Sequence, residues 1–217
     1  IIRRITTDKT PNIAFIEGHG ETARLESADA ERLLAESYPV ERITINGKLE
    51  SLSVAIDDEG KQRLNKYDLL IISDPDSSFS DADRFLIDQH IMRGGKIIWA
   101  VDPLVADMDS LRLAQQTMAI PRELGIEEML FQYGARLEKN MVLDRNCEEI
   151  AIVTGMMGNQ PQTEFFPWYF KPIIIPKDGH PITTNLDPII TEFASTIDTI
   201  ARAGIKKTIL LETSENT

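Results

Sequence analysis

Apolar residues come in short bursts along this chain, and the most ordered succession of them runs from Tyr67 to Pro103. Asp68–Ser73 (DLLIIS) has the length and apolar content of a strand buried on both faces. Pro75 and the Asp-Ser cluster around it predict a turn, and Ser80 or Asp81 can cap a following helix. In that helix Phe85, Leu86, Ile87, Ile91 and Met92 fall mostly on one side, with Asp83, Arg84 and Asp88 elsewhere. Gly94-Gly95 supplies the left-handed stop, and Lys96–Val101 reads as a second buried strand. Strand, helix and strand at this spacing predict a parallel pair joined by a right-handed crossover. The fold class is therefore α/β.

The remaining pattern extends the unit in both directions. Residues 1–10 are polar and aperiodic. Asn12–Glu17 (NIAFIE) predicts the first strand, and Gly18-His19-Gly20-Glu21 a tight turn. A helix follows over Ser27–Ser37 with Leu33 and Leu34 inward, stopped by Pro39. Val40–Ile45 alternates as a second strand, closed by Asn46-Gly47; a charged stretch to residue 66 contains a turn at residues 57–60. Up to Pro103 this predicts a flavodoxin-like, doubly wound, mostly parallel sheet, with sites at the carboxyl ends of the strands. The second half adds a partly helical stretch over 104–122 and a short helix over Gly125–Tyr133. Strands are expected at Leu137–Asp144, Glu149–Thr154, Ile189–Ile200 and Thr208–Glu212. Residues 155–163 read as a loop, and Phe165–Ile175 as an aromatic, proline-broken edge or cover strand. One domain over 11–217 is expected, with its core units in 11–103 and completing elements in 104–217.

Composition narrows the function classes. The chain has 217 residues, a net charge of −12 and no long basic run, which argues against nucleic acid as a partner. The single cysteine, Cys147, excludes an intrachain disulfide. No apolar run approaches the roughly 18 residues of a membrane span. The chain begins with Ile1-Ile2 rather than Met, as expected of a processed or excised piece, so the lack of an anchor within it says nothing of the parent.

Candidate chemistry gathers at the predicted strand ends. Gly18–Ala23 fits G-x-G-x-x-A between strand and helix, the dinucleotide fingerprint. The acidic residue wanted at the end of the second strand is missing, and Glu21 would set a carboxylate beside the phosphate. His19 could meet Glu17, Glu21, Asp74, Asp76 and Asp102, which follow strands one, three and four. The opposing reading makes these carboxylates turn and cap residues and His19 a backbone partner. His90 and His180 read as structural. Cys147, between strand-like runs, lacks the electropositive corner of a reactive thiol. No nucleophile elbow or paired-histidine motif occurs, so no metal and no cofactor are expected. The candidate ligand or partner site is thus Gly18, His19, Gly20, Glu21, Asp74, Asp76 and Asp102. Trp168, Tyr169 and Phe170, in the densest aromatic run, form a candidate interaction surface.

Several long segments together carry a family resemblance: Phe79–Pro103, LGIEEMLFQYGARL, GNQPQ, FPWYFKPIIIP, HPITTNLDPI, FASTIDTI and IKKTILLETS, with the GHGE turn. They resemble the gliding-motility-associated ABC transporter auxiliary proteins, within a broader bacterial ABC-transporter auxiliary family, from about Asn12 onward. The resemblance implies a domain on the periplasmic side of the inner membrane, typical of Bacteroidetes. It also implies anchoring through flanking helices absent from this fragment and work with an ABC permease and ATPase. It implies an α/β fold like that of class I glutamine amidotransferases, but no cysteine stands where that fold carries its nucleophile. The expected role is noncatalytic, through protein contacts or ligand capture. A small-molecule-binding domain and a hydrolase or transferase using His19 are the alternatives.

Overall fold

A computed structural model describes residues 10–57, 59–106, 108, 110, 116–177 and 179–217. The described residues divide into two compact units. The first takes the chain up to Asp102 together with Arg122–Met129, and the second takes Pro103–Pro121 with Leu130–Thr217.

The first unit is built on β1 (Ile13–Glu17), α1 (Ala28–Ala35), β2 (Val40–Thr44), β3 (Ser53–Ala55), β4 (Arg63–Asn65), β5 (Leu69–Ser73), α2 (Asp81–Met92) and β6 (Lys96–Ala100). Four strands form a parallel sheet in the order β2-β1-β5-β6. The two central strands are the buried ones. Ile13, Ala14, Phe15 and Ile16 of β1 are all buried, as are Leu70 and Ile72 of β5, because sheet neighbours cover their edges and packing covers their faces. β2 alternates, as its VERIT sequence demands of an edge strand. β6 departs from expectation. Its apolar KIIWA run lies on the other edge, and Ile98 is 50% exposed.

α2 runs from its Ser80 cap, whose hydroxyl accepts the Asp83 N–H at 3.1 Å. Its buried stripe is Asp83, Leu86, Ile87 and His90, spaced i, i+3, i+4, i+7. Phe85 and Met92, expected inward, are exposed, and Asp83, expected outward, is buried. His90 is fully buried against the Cα of Gly95. α1 buries no residue, and Leu33, expected inward, is exposed. The charged stretch before Tyr67 hides an antiparallel hairpin, β3 with β4. Within its expected turn Gly60 N–H reaches the Asp57 carbonyl at 3.1 Å, and residue 58 lies outside the described residues, as does the lead-in over 1–9. The first unit also takes in the start of α3 (Glu127–Gln132), which the sequence anticipates.

The second unit contains β7 (Leu104–Val105), β8 (Ile120–Pro121), β9 (Ala135–Leu137), β10 (Cys147–Met157), β11 (Gln160–Ile174), β12 (Ile189–Ile190) and β13 (Ile197–Thr199). They form antiparallel pairs, β7 with β8 and β9 with β13, and a three-stranded sheet β10-β11-β12. None of them joins the parallel sheet. The expected helical stretch over 104–122 falls partly on residues 107, 109 and 111–115, outside the described residues; β7 and β8 occupy its two ends. Residues 138–144 and 208–212 form no strand. The expected loop over 155–163 is strand instead. β10 and β11 continue through it to a turn at Gly158-Asn159, where Gly158 has φ 63°. Buried Asp144 is held by N–H groups of Asn146 and Ser214 at 2.8 and 2.7 Å and by the Thr217 hydroxyl at 3.1 Å. No helix among the described residues is long and apolar enough to cross a membrane.

Candidate functional site

The carboxyl ends of β1 and β5 lie side by side in the sheet, and the loops that leave them are tied together. The His19 carbonyl accepts the N–H groups of Asp76 and Ser77, both at 3.0 Å. Thr22 N–H reaches the Ser73 carbonyl at 2.9 Å. Gly20, at φ 72°, packs its Cα against the Asp76 carboxylate. A side chain at Gly20 would meet that carboxylate in a left-handed backbone. Asp76 is exposed and can rotate aside, so Gly20→Ala should lose mainly the left-handed backbone cost, about 1–2 kcal/mol, read from the urea midpoint.

His19 sits at the centre of this crest, only 5% exposed. Its Nδ1 lies 3.1 Å from Glu21 Oε1 and its Nε2 3.4 Å from Asp83 Oδ2. The imidazole stacks on Phe79 with ring centres 3.8 Å apart, and Phe79 meets Trp99 edge-on at 6.1 Å. Glu21 closes a short loop by accepting the His19 N–H at 2.7 Å. Asp83 reaches furthest, taking the Ser80 hydroxyl at 2.6 Å and the Gly47 N–H at 2.9 Å. One carboxylate thus joins the loop after β1, the loop after β2 and the first turn of α2. Burial alone would lower the His19 pKa, but Glu21 and then Asp83 outweigh it, and the net shift is upward. Burial alone would raise Asp83, but hydrogen bonds from Ser80, Gly47 and His19 bring it below the ordinary value. The arrangement is an ion-paired latch with both ring nitrogens facing carboxylates.

The other expected residues form a second group. Asp74, at φ 47°, receives the Arg122 guanidinium, and its N–H donates to the Ala100 carbonyl at 2.7 Å. Burial, and then the Asp74 charge, push Asp102 up, while Arg122 pulls it down. Glu17 pairs with Arg42 at 2.8 Å, and the same guanidinium holds Glu31 at 3.0 Å. Of the carboxylates expected near His19, Glu21 pairs with it and Asp76 touches its loop through the backbone. Asp83 was missed. Its signal is the Ser80-x-x-Asp83 capping pattern, read together with the helical spacing of Asp83 and His90.

Elsewhere in the first unit, an open hollow at the opposite ends of the strands is lined by Asn12, Ile13, Pro39, Glu41, Lys66 and Tyr67. There burial and the Glu41 carboxylate push the Tyr67 hydroxyl up to about 12. Among the described residues no group of three or more His, Cys, Asp or Glu side chains is arranged to hold a metal ion.

The aromatic run lies on β11. Tyr169 is exposed; Trp168 and Phe170 are half-buried and lean on each other, with ring centres 5.5 Å apart. Phe170 continues to Phe193 at 6.0 Å. The largest exposed aromatic surface of the strand belongs instead to Phe165.

A solved chain described as "mmIFT52 N-terminal domain" is similar to this one with a TM-score of 0.55 and 13% identity. The likeness covers 92% of this chain and 72% of that one, and at this identity it speaks for the fold alone. No curated protein matches. The family model described as "ABC-type uncharacterized transport system" matches residues 10–217, nearly all of the sequence, and the chain belongs to that family of ABC transport auxiliary components.

Proposed function

We propose that this chain is the extracytoplasmic, noncatalytic domain of an inner-membrane ABC auxiliary component, possessing a periplasmic face that works through protein contacts. The parent protein carries membrane anchors outside this segment and partners an ABC permease and ATPase of a gliding-motility-type system. Family membership supports the transport setting. The parallel order β2-β1-β5-β6 supports a flavodoxin-like, doubly wound core related to class I glutamine amidotransferases.

The observation that carries the protein-contact reading is the filling of the strand-end crest. Folds of this kind take small ligands where the sheet order reverses, here between β1 and β5. In this chain that place is occupied by His19, Glu21, Asp83 and Phe79, bonded or stacked among themselves. A general base needs a ring nitrogen within reach of substrate, and both of His19's nitrogens face carboxylates. Purification of the full-length parent from its own membranes in mild detergent tests the reading. Permease and ATPase subunits should co-purify with it. Recovery of the parent as a soluble, solitary protein would overturn the anchoring and the partnership together.

A further inference from the structure

The sequence contains one Asn-Gly step, Asn46-Gly47. It lies in the loop that leaves β2, both residues are exposed, and Gly47 has φ 71°. Such a pair can react with itself. The Gly47 nitrogen attacks the side-chain carbonyl carbon of Asn46, the C–N bond of the side-chain amide breaks, and ammonia leaves with the proton of the Gly47 N–H. The product is a cyclic imide, and water opens it at either carbonyl to give aspartate or isoaspartate. Glycine permits the attack because it has no Cβ to crowd the ring. Both reacting groups are held in this fold. Gly47 N–H donates to Asp83 Oδ1 at 2.9 Å, and the side-chain carbonyl of Asn46 accepts the Ser51 hydroxyl at 2.9 Å. The Ser51 bond polarises the carbonyl under attack, so it does not protect. Asp83 does. The attacking nitrogen must shed its proton, and a carboxylate bonded to that N–H both stabilises the protonated amide and repels the anion.

We propose that Asn46-Gly47 is a self-modification site gated by Asp83: the Asn46 amide closes on the Gly47 nitrogen when the Asp83 carboxylate releases that N–H. The gate is the latch already described, because the same carboxylate also holds the Ser80 hydroxyl at 2.6 Å and faces His19 Nε2 at 3.4 Å. Asp83 is held below its ordinary carboxylate value, so the charge that restrains Gly47 is present at neutral pH. Release needs only a local opening, which proteins make more often than they unfold globally. The reaction is one-way. Either product places a new carboxylate beside Gly47, and isoaspartate also adds a carbon to the backbone. Both oppose the return of Gly47 N–H to Asp83, so an opening of the latch leaves a covalent record in the loop after β2. Nothing in this chemistry depends on the transport role.

Incubation of the full 217-residue chain at neutral pH tests it, with conversion at position 46 followed by peptide mapping, mass spectrometry and an isoaspartate assay. Native wild type should convert at least about tenfold more slowly than the same chain unfolded in urea, because reaction waits on the open population. Asp83→Asn keeps an oxygen for Gly47 N–H but removes the charge. It should convert about tenfold faster than wild type, the effect of one unit in the ionisation of the amide. The unfolded fraction of the variant, read from its urea curve, fixes how much conversion global unfolding supplies, and the acceleration should exceed that share. Ser80→Ala, at an exposed position, removes the hydroxyl that holds Asp83 and should act in the same direction; it decides alone where Asp83→Asn does not fold. Native wild type converting as fast as the unfolded chain overturns the proposal. So does conversion of the folded variants at the wild-type rate, or only at the rate their unfolded fractions supply.

Discussion

His19→Ala should destabilise the first unit by about 3–5 kcal/mol, the usual cost of removing one partner from a buried charged pair. The substitution leaves the Glu21 side chain, 2% exposed, without its imidazole partner. It also takes one hydrogen bond from Asp83 and the stacked ring from Phe79. The pH dependence identifies the cause. His19 has a pKa raised above its ordinary 6.5, so its contribution is complete below that value and is lost as pH rises through the folded-state value. Asp83 is lowered from 3.8, so its contribution is complete above that value and is lost as pH falls through the folded-state value.

Two other groups titrate with the opposite consequence. Burial lowers His90, so its neutral form favours folding and stability falls as pH drops below 6.5. Burial raises Asp102, so its ionisation above 3.8 opposes folding. The clean readout is therefore the difference between wild type and His19→Ala in urea unfolding across pH. It should be largest between about 4 and 6.5 and should shrink on the alkaline side. A difference that is flat with pH would mean that His19 contributes packing alone.

The strand-end position of this latch and two of its members, His19 and Glu21, were legible in the sequence, while Asp83 was not. Gly18–Glu21 and Asp74–Asp76 follow apolar runs that had to be parallel strands, and such loops converge at one edge of a sheet. Which carboxylate reaches the imidazole depends on side-chain direction, and there the hydrophobic pattern misled. The inward stripe of α2 has polar members at its first and last places, Asp83 and His90, so apolar residues alone drew it through Phe85 and Met92. A similar limit applies to β6. KIIWA is as apolar as LLIIS, but periodicity cannot distinguish a strand with two neighbours from a strand with one. In the second half, the prolines and glycines of residues 155–167 read as breaks because a central strand excludes them. β11 tolerates its prolines because, among the described residues, one side of its outer stretch is unpaired.

Ile72→Ala and Ile98→Ala delete the same atoms from two neighbouring strands, so their contrast tests what the fold of the first unit depends on. Ile72 is fully buried on β5, whereas Ile98 is half-exposed on β6. The buried site should lose about 2–5 kcal/mol, because the transfer energy of the side chain is compounded by a cavity that packed neighbours cannot fill. The edge site should lose about 1 kcal/mol or less, since much of that side chain already contacts water. Urea midpoints at one pH measure both. Equal losses would mean that the outer face of β6 is covered in solution. The expected inequality has a consequence for the latch, because β5 runs directly into Asp74–Ser77, whose backbone holds the His19 carbonyl. A cavity at Ile72 loosens the support beneath that loop. Ile72→Ala should therefore also weaken the alkaline dependence that His19 imparts, whereas Ile98→Ala should leave it in place.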